Sequence, residues 1–217
     1  MEGTAVSSVN TIAAFFQNGG LFMWIILFIW AVGLAIGLER FFKLSFKFDV
    51  DGASFMNELR RYIMANDVEG ASRVCSGSNA ALPKVLRSGL ERASAKPEQI
   101  QNAIDATALE VIPKVELRLN YLQLIANIST LFGLLGTIQG LIASFAAVAA
   151  ADPTQKAELL AKGISQAMNT TFLGLLVAIT IMIIHSFLSS KSEKIINEID
   201  EYSVKLMDIL STEESKQ

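Results

Sequence analysis

The sequence holds one cysteine, Cys75, and one histidine, His185. A lone thiol cannot close an internal disulfide, so Cys75 reads as a small apolar side chain in an inward-facing region. Neither residue has companions for a metal cage, since HExxH and CxxC are both missing, and no nucleophile stands beside a base. The glycine-rich GLLGTIQG lacks the Gly-Lys-Ser/Thr ending that a phosphate loop requires. These absences predict a chain that is not an enzyme and has no resident cofactor or metal. A net charge of −3 without a Lys/Arg run excludes nucleic acid as a partner. Alternating strand patterns, internal repeats and low-complexity segments are also missing. The most informative absence is local: neither Leu119–Ala151 nor Gly163–Ser190 contains Asp, Glu, Lys or Arg.

Apolar residues make up 52% of the chain and collect in three blocks rather than spreading with helical periodicity. Each block reaches the ~20 residues a helix needs to cross a ~30 Å hydrocarbon core, and only a helix satisfies its own backbone there. The pattern predicts an all-α membrane protein with transmembrane helices over residues 20–40, 119–151 and 163–190. The start, MEGTAVSSVN, carries no positive region and the first block is long, so that span is expected to stay as an anchor.

No Lys or Arg precedes Arg40, whereas Arg40, Lys43, Lys47, Lys114 and Arg118 crowd the inner ends of the first two spans and Lys191, Lys194 and Lys205 follow the third. The excess of positive charge places residues 1–19 outside, the insertion 41–118 inside, a short turn 152–162 outside and the tail 191–217 inside. In the insertion, Asp51 to Ala65 sets Phe55, Leu59, Tyr62 and Ile63 on one face, and Ala80 to Ala93 turns Leu82, Leu86 and Leu90 inward. Lys96-Pro97-Glu98 opens a helix carrying Ile100, Ile104, Leu109 and Ile112 towards span two, with a kink predicted at Pro113. Asp152-Pro153 predicts a helix start directly after span two, making spans two and three a tight antiparallel hairpin. Beyond Ser190, the stripe Ile195, Ile199, Tyr202, Leu206, Leu210 predicts that the third helix runs on as a long cytoplasmic tail.

In span two, Gly133, Gly136, Thr137, Gly140 and Ser144 fall at three- and four-residue spacing and share a face. Span three repeats the device with Gly163, Ala167, Thr170, Thr171, Gly174 and Ala178. Helices in lipid associate where small residues let their backbones approach, which assigns the glycines to packing. The hydroxyls add a polar girdle: counted from the turn, Thr137 and Thr171 reach comparable depth at about 1.5 Å per residue. A proton relay ordinarily needs a titratable group inside the membrane. These two spans supply no carboxylate, so an ion-conducting assembly would draw it from another protein. His185 lies about 21 Å along the helix from Thr171 and reads as an interfacial anchor.

The stretches LQLIANISTLFGLLGTIQGLIASF (122–145) and GISQAMNTTFLGLLVAI (163–179), with LAIGLERFFKL (34–44), resemble the MotA/TolQ/ExbB ion-channel family. Three spans place the likeness nearest the ExbB/TolQ branch, since the flagellar MotA branch typically has four. The resemblance implies a homopentamer of long helices in the bacterial inner membrane, surrounding a dimer of a single-span ExbD/TolR-type partner that supplies a membrane Asp. It further implies a stator-like subunit that uses ion-motive force to drive envelope work or outer-membrane transport, with a TonB-like protein among its associates. The family's functional threonines map onto Thr137 and Thr171, and its Leu-Glu-Arg membrane exit onto Glu39 and Arg40.

Three positions depart from the common pattern of that branch. Ser129-Thr130 stands where Ala-Pro is usual, Gln166 where a glutamate precedes the span-three threonine, and Thr180 where a proline is usual. Thr170 replaces a frequent alanine, and the pair Thr170 and Thr171 could offer oxygens to a transient Na⁺, so H⁺ and Na⁺ both stand as the transported ion. The alternatives are a flagellar MotA-type stator subunit and a non-conducting membrane scaffold whose small-residue stripes are only seams.

Overall fold

A computed structural model describes residues 19–214, with side chains to residue 212. The predicted outer segment, apart from Gly19, therefore lies outside the described residues. Among those described, every regular element is helical: α1 (Leu21–Phe42), α2 (Gly52–Met64), α3 (Val68–Ser76), α4 (Ala81–Leu90), α5 (Pro97–Glu116), α6 (Leu119–Ala150) and α7 (Lys156–Glu214), plus a π-helical turn at Lys43–Phe48. Three stretches are long and apolar enough to cross a membrane, within Leu21–Met64, Pro97–Ala150 and Lys156–Thr212. The chain divides into two compact units, one of Met1–Gly37 with Asn120–His185, the other of Leu38–Leu119 with Ser186–Gln217.

The first unit is a packed set of membrane-type helices. Its interior is a narrow row of mostly small residues: Ala126, Ser129, Gly133, Gly136, Gly140 and Ser144 of α6 are buried, as are Ala167, Thr170, Gly174 and Ala178 of α7. Large apolar side chains point the other way, with Leu131 59%, Phe145 61%, Phe172 61% and Ile183 66% exposed. This inverts the order of a water-soluble core, and a surface of that size is stable only against lipid or protein. At the turn, the Gln155 N–H donates to Asp152 O at 2.9 Å, and α7 begins at Lys156. The helix start read at Asp152-Pro153 thus falls three residues further on. Proline fits the second position of this β-turn as well as a first helical turn, because both need its fixed φ.

The second unit is built as a soluble helical bundle. Phe55, Leu59 and Ile63 of α2, Leu82, Leu86 and Leu90 of α4, and Ile195, Ile199 and Leu206 of α7 are buried. Asp51 caps α2, accepting hydrogen bonds from the Ser54 N–H and hydroxyl, and Asp67 caps α3 through the Gly70 N–H at 2.8 Å. The Ser54 bonds hold the Asp51 carboxyl below the usual carboxylate range. On α5 the buried row is Ile100, Ile104, Val111 and Val115, and Leu109 is 76% exposed. Five residues past Ile104 is about 140° round the helix, which explains why Leu109 leaves the core.

The helix does not stop at Pro113. The helix α5 continues through Pro113 to Glu116 and breaks at Leu117 (φ −48°, ψ 131°) and Arg118 (φ 65°). The last four carbonyls of a helix have no intrahelical partner and must find one elsewhere.

Candidate ion-pathway site

The seam of the first unit is built on glycine. A Cβ on Gly133 would meet Thr171 Cα at 3.3 Å and Gly174 Cα at 3.4 Å, and one on Gly140 would meet Ala167 Cβ at 3.0 Å. One on Gly174 would stand 2.7 Å from Ser129 O and 2.9 Å from Gly133 Cα, both backbone. One on Gly136 would run into the Thr170 side chain. Of the four glycines assigned to helix packing, Gly133, Gly140 and Gly174 meet facing backbone and Gly136 makes room for the Thr170 side chain, contacts in which dispersion and weak polar terms replace the hydrophobic effect.

Hydroxyls sit along the same line. Thr170, 1% exposed, donates to Gln166 O at 3.0 Å and to Gly19 O at 3.2 Å. Thr171 donates across the seam to Gly133 O at 3.1 Å, and Thr137, half-buried, donates to Leu134 O at 2.6 Å. The two threonines of the girdle are thus fixed on consecutive carbonyls of α6 rather than on each other. Ser144 is buried and donates to Gly140 O at 2.7 Å, while Thr130 is exposed and donates to Ala126 O at 3.3 Å. Ser129, fully buried with a 2.8 Å bond to Ile125 O, belongs to the seam, and its neighbour Thr130 does not. Both lie within one helical turn of Gly133, so spacing alone does not choose between them.

Beside Thr170 is a small cavity of about 130 Å³ whose wall includes Gly19, Gly20, Gly136, Gln139 and Gln166. The Gln166 amide lies close to Gly20, and a Cβ there would meet its Nε2 at 2.6 Å. Two carboxamides in a space of that size suit ordered water, which needs only a few polar partners. His185 is half-exposed on α7. Among the described residues no group of three or more His, Cys, Asp or Glu side chains could hold a metal ion.

The membrane-exit residues are organised in the second unit. Arg40 is 1% exposed, and its guanidinium donates to Lys114 O at 3.2 Å and to Val115 O, two of the orphan carbonyls left by the break after α5. Glu39 accepts from Lys43 Nζ at 2.6 Å and from Arg118 at 2.5 Å, the latter being the residue with positive φ. One dipeptide thereby caps a helix end and fastens the break that follows it.

Three helices long and apolar enough to cross a membrane, a charge-free seam of glycines and hydroxyls, and a second helical unit with its own apolar core define a membrane protein. The profile of the MotA/TolQ/ExbB proton channel family matches residues 78–201, more than half of the chain. The chain belongs to that family, on its ExbB side. It is 24% identical over 196 residues to a Methanothermobacter thermautotrophicus protein named as a biopolymer transport protein ExbB homolog, covering 90% of this chain and 69% of that one. A Synechocystis protein named as ExbB-like 3 is 26% identical over 129 residues, 59% of this chain and 61% of its own. Biopolymer transport protein exbB1 of Vibrio cholerae is 49% identical over 61 residues, 28% of this chain and 27% of its own.

Proposed function

We propose that this chain is an ion-conducting, stator-like subunit of an ExbB/TolQ-type motor in the bacterial inner membrane, with its N-terminus outside and its C-terminus in the cytoplasm. Copies of it, five by family likeness, would surround a dimer of a single-span ExbD/TolR-type partner. Ion-motive force would then move the partner against a load in the envelope or in outer-membrane transport, with a TonB-like protein downstream. The observation that carries this reading is the pairing of Thr137 and Thr171 on adjacent carbonyls in a seam without any carboxylate. Hydroxyls line a path, and the titrating group belongs to the partner's Asp.

The ion is H⁺ or Na⁺. Buried Thr170 beside Thr171 favours considering Na⁺, because hard cations take oxygen ligands. A second reading, a non-conducting scaffold, is favoured by the fact that every one of these hydroxyls already bonds a backbone carbonyl, as a purely structural threonine does. Flux through the complex with its partner in proteoliposomes separates them. Conduction predicts that Thr137→Val and Thr171→Val abolish flux while the oligomer persists. The scaffold reading predicts no flux in the wild type, or loss of assembly in both variants. Protonophore-sensitive activity that ignores sodium would eliminate Na⁺.

A further inference from the structure

The second unit contains a pocket of about 400 Å³ that the conduction reading does not use, within the size range of small-ligand sites. Its wall carries four cationic side chains from three separate elements: Lys47 of the π-helical turn, Lys84 and Arg87 of α4, and Lys114 of α5. The carboxylates near them do not balance this charge. Lys84 at 3.6 Å and Lys114 at 2.5 Å share the same oxygen of Glu110, Arg87 pairs with Glu91 at 2.8 Å, and Lys47 has no ion pair among the described residues. Four positive charges thus meet two negative ones, with neither Glu91 nor Glu110 in the pocket wall.

The neutral part of the wall has the same polarity. Ser76, Ser78 and Asn79 border the pocket, and α4 starts there at Ala81 after an N-cap, Ala80, that offers no side-chain acceptor. The first N–H groups of that ten-residue helix have no intrahelical acceptor, and its dipole adds positive potential. Buried Cys75 and Val111 give the pocket an apolar base that lowers the local dielectric. Lysines act on phosphate as mobile point charges, Arg87 adds a planar fork, and the Ser78 hydroxyl and Asn79 amide can donate hydrogen bonds.

We propose that this pocket binds a phosphate group, carried by an anionic phospholipid headgroup or by a free soluble anion. Basic residues just inside a membrane exit meet an anionic lipid surface, and Lys47 follows Arg40 and Lys43 along the chain there. Occupancy would bridge the π-helical turn, α4 and α5, and so hold the start of the insertion to the helix that leads into α6.

The test uses full-length protein. Inorganic phosphate is titrated calorimetrically into protein in phosphatidylcholine vesicles, and lipid retained from vesicles with and without phosphatidylglycerol is counted by native mass spectrometry. The double substitution Lys47→Gln with Lys84→Gln should weaken the bound species by about tenfold or more, each charge contributing at the usual scale for a lysine near an anionic surface. Lys47→Arg with Lys84→Arg should retain binding, separating charge from folding. Arg60→Gln with Lys205→Gln, on α2 and α7, should leave it unchanged. Retention of phosphatidylglycerol without phosphate binding identifies the headgroup as the source, and phosphate binding identifies a soluble anion. If neither probe distinguishes the wild type from the Lys→Gln pair, the site does not exist.

Discussion

Gly174→Ala and Gly133→Ala make the same chemical change a few ångströms apart on facing helices, and the seam geometry gives them opposite signs. In a helix interior, replacing glycine by alanine gains up to ~1 kcal/mol from backbone entropy. At Gly133 the new methyl also faces backbone, but at Thr171 Cα 3.3 Å and Gly174 Cα 3.4 Å, a closeness that a few tenths of an ångström of helix movement relieve. Its net effect should be neutral to stabilising by up to ~1 kcal/mol. At Gly174 the methyl would sit 2.7 Å from Ser129 O, 2.9 Å from Gly133 Cα and 3.3 Å from Gly133 N. All three are backbone atoms, so the helices must separate rather than a side chain turn aside. Overpacking of this kind costs about 1–3 kcal/mol, leaving a net loss of up to ~2 kcal/mol after the propensity gain. Equilibrium unfolding in mixed dodecylmaltoside and dodecylsulfate micelles reads this directly, because Trp24 and Trp30 both belong to the same unit. A Gly174→Ala protein as stable as Gly133→Ala would refute the seam as the element that holds α6 to α7.

Arg40→Met keeps an apolar stem and removes the donors to Lys114 O and Val115 O, so it should cost about 1–3 kcal/mol for the carbonyls left unpaired. Hydrogen exchange should rise over the last two turns of α5, and unchanged protection there would contradict the capping role. The Cys75 thiol is pushed up from 9.0 to about 11 by burial, partly opposed by Arg87. At pH 8 the folded protein should therefore react with iodoacetamide about a hundredfold more slowly than the unfolded chain from ionisation alone. Because the folded value is the higher one, the protonated thiol favours the folded state below pH 9, and that contribution disappears as pH rises from about 9 towards 11. A Cys75→Ala protein should lack this alkaline slope; the same slope in the variant would assign it to other groups.

Membrane character and the seam were legible because they rest on local facts: absent charge, and small residues spaced for one helix face. Asp51 and Pro97 also act within a turn of where they stand, as an N-cap and as the first residue of α5. The helix α3 was not read, although Asp67 marks its start, because only Ala71 and Cys75 supply buried apolar side chains within it. Leu109 was misassigned because hydrophobicity was weighed without its angle to Ile104. The choice of Ser129 over Thr130 depends on the approach of Gly174, and the cap on α5 joins residues 74 and 75 positions apart. Spacing within one helix contains neither fact. Glu39 and Arg40 could be marked as an exit from the membrane, but the reason for their adjacency is the break at Arg118, which depends on tertiary contact.

The direction of the hydroxyl bonds along α6 and α7 has a further consequence. Carbonyls only accept, so Ser129, Thr130, Thr137, Ser144, Thr170, Thr171 and Thr180 all commit their protons to the backbone. What each hydroxyl has left to present is oxygen lone pairs. Anything entering alongside them meets hydroxyl oxygens that are electron-rich without carrying formal charge and able to solvate a cation or hydronium, so a donor to an anion must come from other groups, such as the Gln139 and Gln166 amides. Through bond direction alone, these helices acquire a sign preference that their amino-acid composition does not show.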